Sequence, residues 1–322
     1  MLSKNRTIIL GVILVVAVAI YLFLEYNQDI EKSYRTQLPE LDTAAIAQIV
    51  VSPPSGAGQI VLVKDGHQWL VKSGDESFQA DVNIIRSLIQ NLDQADVKSV
   101  VSTSIDNREE FQITDDLGTR IRFEDADNTF KDIIIGKFDY IQANNPNPNP
   151  YSQQPQGEML SYVRVGDEAS VYAIDGMIAL GLGKSINDYR DKKIIDVRKE
   201  SIDKLEFKDN DQPGFQLEKQ NEKWMFHDGT AADSALMAKY LNRISRLRGK
   251  EFAAMDQIPP GENASLTLTY DGSKMVDVKL YMPDTSSTFM YSSQNPTNIF
   301  NDSDKKLKEK LFVSEDFFLG NK

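Results

Sequence analysis

The sequence Q-I-V-L-V-K-D-G-H-Q-W-L-V-K, residues 59–72, places two apolar runs on either side of the pair Asp65-Gly66. Asp-Gly is a strong signal for the tight turn of a β-hairpin, because it accepts the positive φ angles that such a turn requires. We therefore predict a hairpin with strands at 59–64 and 68–72, preceded by a strand at 48–52.

A helix is predicted after this hairpin. Asp81 is a suitable N-cap, since its carboxylate can accept hydrogen bonds from the first backbone N–H groups of a helix. The apolar residues that follow have the spacing of one buried helix face. They are Ile84, Ile85, Leu88, Ile89 and Leu92. A strand at 98–102 completes this part of the predicted fold.

The same order of features returns in the second half of the chain. Trp224 follows two apolar positions as Trp69 does 155 residues earlier, and the chain has only these two tryptophans. Asp233 then opens a second predicted helix, as Asp81 opens the first. The predicted buried face of this helix comprises Met237, Tyr240, Leu241 and Ile244. We interpret the correspondence as a tandem repeat.

The stretch from Thr7 to Leu24 is uncharged and almost entirely apolar. As a helix it would be about 27 Å long, close to the hydrocarbon thickness of a bilayer. Lys4 and Arg6 precede it and Glu25 follows it, so the positive-inside rule places the N-terminus in the cytoplasm. The predicted segments are a cytoplasmic tail at 1–6, a transmembrane helix at 7–24 and a stalk at 25–41.

The predicted fold class is therefore α+β, with an N-terminal transmembrane helix followed by two repeated units at 42–197 and 198–322. Each unit is expected to be a mainly antiparallel sheet with packed helices. The bulk of the chain is expected outside the cytoplasmic (inner) membrane, in the periplasm if the cell has an outer membrane. A cleaved secretory signal is the alternative, which the missing A-x-A site after Leu24 disfavours.

Composition narrows the classes of partner. The formal net charge is -12, which opposes binding to nucleic acid or to anionic lipid headgroups. The chain has no cysteine, so core packing rather than disulfides must hold an exported domain together. The Asn/Pro/Gln-rich loop at 143–157 contains almost no apolar residue. It is predicted to be a disordered spacer, with a ligand-binding tip as the alternative.

Two segments resemble binding motifs without meeting their requirements. G-K-S at 183–185 ends like a phosphate-binding loop, but Ile178 stands where that motif needs its first glycine. Gly181 and Gly183 are expected instead to end a helix that runs from about Asp175. The acidic segment 124–132 has the carboxylate density of a calcium loop, but Phe130 stands at the sixth position, where an EF-hand needs glycine. The acidic segment 208–214 is predicted to be an equivalent turn. We expect no nucleotide and assign no metal site.

The histidines of the sequence do not indicate a hydrolase. His67 and His227 are the only two; they lack the spacing of a zinc pair, and no G-x-S-x-G sequence accompanies them. Trp69 and Trp224 are predicted to be core residues rather than sugar-stacking surfaces. We therefore predict no catalytic, cofactor-binding or metal-binding residue, and a protein that is not an enzyme.

The segment S-I-N-D-Y-R-D-K-K-I-I-D at 185–196 carries a resemblance to a known family. Together with the N-terminal apolar stretch, L-P-E-L-D-T-A-A-I-A-Q-I at 38–49 and the two tryptophan hairpins, it resembles the domain-of-unknown-function family numbered 4340 over roughly residues 38–320. The resemblance implies an accessory subunit beside an ABC-type permease and its ATPase, and beside an anchored auxiliary protein of the gliding-motility type. It implies no catalytic residue.

Within this segment we single out five residues as a candidate site: Asp188, Tyr189, Arg190, Asp191 and Lys192. The matching positions of the second half read D-F-F at 316–318, so the Arg-Asp pair is not duplicated. Arg190 and Asp191 are expected to fix the junction between the two halves by charge-assisted hydrogen bonds. A docking point for a partner is the alternative.

The expected function is a membrane-anchored, extracytoplasmic accessory or scaffold subunit of an ABC-type transporter complex, non-enzymatic and without cofactor. The alternative is an envelope-polymer (glycan) binding protein or a hydrolase with a carboxylate pair, because 48 acidic residues leave such a pair open. A membrane-anchored spacer without any ligand is the third reading.

Overall fold

The computed structural model describes residues 37–38, 40–54, 58–125, 129–142 and 157–320. Contacts between Cα atoms divide these residues into two compact units. Unit 1 holds the described residues up to Ala44 together with Ile89–Arg122 and Phe130–Leu182. Unit 2 holds Ala45–Leu88, Phe123–Thr129 and the described residues from Gly183 onward.

Antiparallel β-strands are the main regular structure of the described chain. The first strands are β1 (Gln48–Ser52), β2 (Ile60–Asp65), β3 (Gln68–Ser73), β4 (Glu76–Gln79), β5 (Val97–Ser102), β6 (Thr119–Glu124), β7 (Thr129–Gln142), β8 (Gly157–Val165) and β9 (Val171–Asp175). The later ones are β10 (Lys193–Asp196), β11 (Ile202–Asp209), β12 (Phe215–Gln220), β13 (Lys223–Phe226), β14 (Arg246–Arg248), β15 (Glu251–Ala253), β16 (Ala264–Tyr270), β17 (Lys274–Tyr281), β18 (Phe289–Ser292) and β19 (Ile299–Asn301). The α-helices are α1 (Val82–Asp93), α2 (Ile186–Tyr189), α3 (Ser234–Ile244), α4 (Lys306–Leu311) and α5 (Glu315–Leu319).

The strand order is similar in the two halves of the chain. In unit 1, which contains most of β6 and β7, the neighbouring strands follow the order β6-β7-β8-β9-β5. In unit 2 the strands β4-β3-β2-β1 are neighbours in this order. A separate sheet has the order β13-β12-β11-β16-β17-β18-β19-β15. The order β3-β2-β1 thus corresponds to β13-β12-β11, and β6-β7-β8-β9-β5 to β16-β17-β18-β19-β15. The repeat itself, and its boundary between residues 197 and 198, stay predictions.

The expected fold class, α+β with an N-terminal transmembrane helix, needs correction. The described chain is predominantly antiparallel sheet, and none of its helices is long and apolar enough to cross a membrane. The longest, α1, has 12 residues, which is about 18 Å of helix. Strands form where buried and less buried side chains alternate, as along β2 and β16. The predicted segments 1–6 and 7–24 lie outside the described residues, as does most of the predicted stalk.

The predicted first hairpin is confirmed. Strands β2 and β3 pair in antiparallel register with Asp65 opposite Gln68, and Gly66 has a φ of 57°. The N-cap of α1 is also as predicted, because Asp81 Oδ1 accepts the backbone N–H of Asn83 at 3.0 Å. Its buried face contains Ile85, Leu88 and Leu92.

The second predicted helix is confirmed as α3. Asp233 Oδ1 accepts the backbone N–H groups of Ala235 at 2.9 Å and Leu236 at 2.8 Å. All four residues of the predicted face are buried. Among them the Tyr240 hydroxyl donates to the carbonyl of Leu311 at 2.6 Å, so this polar group in the core of unit 2 has a hydrogen-bond acceptor.

The prediction of a helix that starts near Asp175 is wrong. Strand β9 ends at this residue, and only a short 3-10 turn, Ile178–Gly181, follows. Gly176 has a φ of 89°, a left-handed conformation that interrupts a right-handed helix. The glycine-rich sequence therefore forms a turn instead of the end of a helix. The predicted loop at 143–157 lies outside the described residues, apart from Gly157 in β8.

One face of the unit 1 sheet is covered by the segment 105–118. Ile113 is fully buried in a cluster with Ile134, Leu160 and other strand residues, and Phe111 packs against it. The backbone of this segment comes so close to β7 that a Cβ atom at Gly136 would overlap the carbonyl oxygen of Phe111. The register of β7 against β8 shifts at the same place, between Ile135 and Phe138. Glycine at 136 therefore permits this close contact.

Candidate functional site

The five residues singled out in the sequence lie in unit 2, at the short helix α2 and the start of β10. Asp188 closes the turn before α2, because its Oδ2 atom accepts the backbone N–H groups of Lys184 and Ser185, each at 2.9 Å. Burial acts to raise the pKa of Asp188, but these hydrogen bonds outweigh it and leave the pKa below its ordinary value. Asp188 is thus a local structural residue.

Tyr189 is buried beneath the same turn. Its hydroxyl oxygen accepts the backbone N–H of Gly183 at 3.1 Å, and its own carbonyl accepts the backbone N–H of Asp81 at 2.8 Å. Burial raises the pKa of Tyr189 to about 12. A side chain at Gly183 would collide with the tyrosine ring. The backbone of the G-K-S sequence therefore packs directly against Tyr189 at this glycine.

Arg190 lies between two aromatic rings. Its guanidinium carbon is 3.7 Å from the ring centre of Phe78 in β4 and 3.9 Å from that of Phe252 in β15. The residue is only 5% exposed. A guanidinium plane can stack on aromatic faces in this way, whereas an ammonium group has no plane to stack.

Two of the three nitrogen atoms of the guanidinium group are hydrogen-bonded. Nε donates to Asn298 Oδ1 at 2.7 Å and Nη1 donates to Asn187 Oδ1 at 3.2 Å. Nη2 is buried and has no acceptor within the described residues. Burial lowers the pKa of Arg190 to about 10, against the opposite influence of the Glu76 carboxylate. The side chain is therefore held mainly by stacking and by neutral amide groups.

Two asparagines connect this arginine to Asp191. Asn295 donates from Nδ2 to the carbonyl of Asp191 at 2.7 Å, and Asn298 donates to Asn295 Oδ1 at 2.6 Å. Asn298 also donates to the carbonyl of Gln79 at 3.0 Å. Both asparagines are fully buried. A buried amide network of this kind rigidifies the backbone segments that it joins.

Asp191 and Lys192 complete the set. Asp191 is 5% exposed, and its Oδ1 atom accepts the backbone N–H of Lys193 at 2.9 Å. Arg248 approaches it at 4.0 Å and pairs more closely with Asp81 at 3.1 Å. Lys192 contributes its carbonyl, which accepts the backbone N–H of Gly249 at 2.8 Å. These contacts organise the backbone and include no nucleophile placed beside a base.

The other residues considered in the sequence do not form a site in the described part of the chain. His67 and His227 are both exposed, and His227 Nδ1 lies 3.2 Å from Gln216 Nε2. No group of three or more metal-ligating side chains is found among the described residues. Trp69 is buried, as predicted, and Trp224 is half-buried against the core of unit 2.

Unit 1 presents an exposed ribbon that the sequence reasoning missed. We call the residues 138–142 of β7 and 157–159 of β8 the β7–β8 ribbon; the two segments are paired, with Tyr140 opposite Met159. The large apolar side chains on the β7 segment are 38% exposed at Phe138, 43% at Tyr140 and 51% at Ile141. In contrast, Ile133–Ile135 of the same strand is completely buried.

Two more exposed apolar residues lie near the ribbon. The backbone N–H of Gly176 donates to the carbonyl of Met159 at 2.8 Å, which brings Met177 and Leu180 to the same end of unit 1. Five of the eleven exposed large apolar residues of the described chain thus lie in this region. The available sequence signal was Gly136, since glycine inside a strand pattern often marks a bulge where the strand leaves its sheet.

The comparisons with known proteins add a family match of limited extent. No curated protein and no solved structure is a significant match to the chain. One family model matches residues 151–269, a region that contains Asp188, Arg190 and Lys192. The chain matches the family model described as Domain of unknown function (DUF4340) over residues 151–269.

Proposed function

We propose that this chain is a non-enzymatic accessory or scaffold subunit of an ABC-type transporter complex, on the outer side of the cytoplasmic membrane. The family match over residues 151–269 supports the resemblance from which this expectation comes. The observation that carries the proposal is the β7–β8 ribbon, because concentrated exposed apolar side chains on a charged protein mark contact sites for other proteins.

The proposed partners are the permease with its ATPase, and an anchored auxiliary protein. Phe138 and Tyr140 point to one face of β7 and Ile141 points to the other, since side chains alternate along a strand. A partner that encloses the ribbon would bury apolar surface on both faces. Aromatic side chains are favourable in such contacts because they bury a large area with few rotatable bonds.

For the Arg190 network we propose the junction role. Phe78 and Phe252 come from the first and second predicted repeats, and Arg190 lies between them in unit 2. Asn295 and Asn298 tie the same place to Asp191 and Gln79. The network would keep these segments in one arrangement while a partner binds elsewhere.

The test is affinity purification of the full-length protein from its native membrane in mild detergent, with mass spectrometry of the associated proteins. We expect an ABC permease and its ATPase in stoichiometric amounts. The variant Tyr140→Ser with Ile141→Ser is expected to lose at least nine tenths of both partners, because polar side chains on the ribbon remove the hydrophobic contribution to binding. A matched control is Met275→Ser, at a residue 62% exposed in unit 2.

The outcomes separate two claims. A wild-type protein that purifies alone, or that remains on cell-wall polymer, would refute the accessory role. Partners that persist in the ribbon variant would leave the accessory role standing and exclude the ribbon as the contact surface.

A further inference from the structure

A groove in unit 2 lies between the β11–β12 turn and the segment that links α4 to α5. Its volume is about 470 Å³. Apolar side chains form much of its lining; they are Phe207, Phe215, Leu280, Met282, Phe312 and Val313. The rings of Phe207 and Phe215 are stacked, with 4.4 Å between their centres. The groove therefore offers an apolar floor to a side chain of moderate size.

The rim of this groove carries an excess of acidic groups. Four carboxylates line it, two from the β11–β12 turn and two from the start of α5: Asp209, Asp211, Glu315 and Asp316. Two ammonium groups, those of Lys208 and Lys308, also line it. Lys208 is 3.1 Å from the Glu206 carboxylate, which it shares with Lys204 at 3.5 Å.

Lys308 reduces but does not cancel the negative charge of the rim. Its Nζ atom lies 3.3 Å from the sulfur of Met282, a weak acceptor inside the groove. The rim therefore carries four carboxylates against two ammonium groups, and Lys308 has no carboxylate partner in the described structure. Within the β11–β12 turn, the backbone N–H of Asp211 donates to Asp209 Oδ1 at 2.8 Å.

We propose that this groove binds a peptide segment that carries an apolar side chain next to lysine or arginine. The aromatic and aliphatic floor takes the apolar side chain, and the carboxylate rim attracts the adjacent cation. Charge complementarity selects a basic segment over an acidic one. This binding site is separate from the β7–β8 ribbon in unit 1, and it goes beyond the proposed accessory role.

The test uses the full chain and two capped peptides of the same length, acetyl-Lys-Leu-Phe-Lys-amide and acetyl-Glu-Leu-Phe-Glu-amide, in isothermal titration calorimetry. We expect the lysine peptide to bind and the glutamate peptide to bind at least tenfold more weakly. In the rim variant, Glu315→Gln with Asp316→Asn, the affinity for the lysine peptide is expected to fall about fivefold, as partly exposed charge pairs allow.

The matched control removes the same charge elsewhere. Glu218→Gln with Glu309→Gln changes two exposed carboxylates that do not line the groove, and it should keep the wild-type affinity. Equal binding of the two peptides, an unchanged affinity in the rim variant, or no binding of the lysine peptide would overturn the proposal. Binding of a neutral N-acetylglucosamine hexasaccharide instead would overturn it in favour of the envelope-polymer alternative. Co-purification with a transporter is a separate readout, so the two proposals fail independently.

Discussion

At the scale of single residues, Arg190 is held by stacking on two aromatic rings and by hydrogen bonds to Asn298 and Asn187. Replacing it with alanine removes stacking on Phe78 and Phe252 and leaves the Asn298 side-chain oxygen without its donor. We expect Arg190→Ala to lower the free energy of unfolding by about 2–4 kcal/mol. Urea unfolding followed by tryptophan fluorescence measures this free energy of unfolding for unit 2, because Trp69 and Trp224 both lie there.

A matched control is available on α1. Arg86 is exposed and donates to Asn83 at 3.1 Å, and Arg86→Ala is expected to change stability by less than about 0.5 kcal/mol. Trypsin should also cleave after Lys192 and Lys193 faster in Arg190→Ala than in the control. Equal stability and equal cleavage in the two variants would show that the network does not hold these segments together.

The burial of the Tyr189 hydroxyl predicts a specific pH dependence of folding stability. Its pKa rises from 10 to about 12 on folding because the hydroxyl is buried. The folded state thus holds the proton more tightly than the unfolded chain, so this contribution is complete below pH 10 and is lost as the pH approaches 12. The stability of the wild type minus that of Tyr189→Phe should fall by about 1.4 kcal/mol per pH unit in this window.

The measurement is urea unfolding of both proteins from about pH 9 to about pH 12. Because other groups titrate equally in both, their effects cancel in the difference. A difference that stays constant with pH would mean that Tyr189 is as accessible in the folded state as in the unfolded chain.

At the scale of elements, β7 depends on glycine at position 136. A methyl group there would collide with the Phe111 carbonyl and the Ile113 side chain. We expect Gly136→Ala to destabilise unit 1 by about 1–3 kcal/mol, as overpacking does in other cores. Thermal unfolding followed by circular dichroism measures the loss. Gly181→Ala is the control, since no atom lies within 4 Å of the added methyl group; the same loss there would contradict this account.

The elements also differ in how well the sequence predicted them. The β2–β3 hairpin and the caps of α1 and α3 depend on neighbouring residues, such as Asp65-Gly66, Asp81 and Asp233, and the sequence predicted them correctly. The β7–β8 ribbon was not predicted. Its alternating F-D-Y-I sequence at 138–141 resembles that of a strand with one buried face. Its side chains are exposed because no other element of the described residues packs over them.

At the scale of the whole molecule, charge limits the partners. With a net charge of -12, the protein should repel the phosphate backbone of nucleic acid at long range. We expect no mobility shift of duplex DNA or RNA on a native gel at physiological ionic strength. A salt-dependent shift would contradict this expectation and would indicate a basic surface that the total charge does not reveal.

The local pattern of the sequence determined the hairpins, the helix caps, the family resemblance and the similar order of features in the two halves. These depend on neighbouring residues and on periodicity, which the printed chain contains. The tertiary structure alone decided that Arg190 stacks between Phe78 and Phe252 and that the ribbon and the groove are exposed. Arg190 and its two rings are separated by up to 174 positions in the sequence, and no local signal encodes contacts or burial at such distances, because both depend on where the other elements pack.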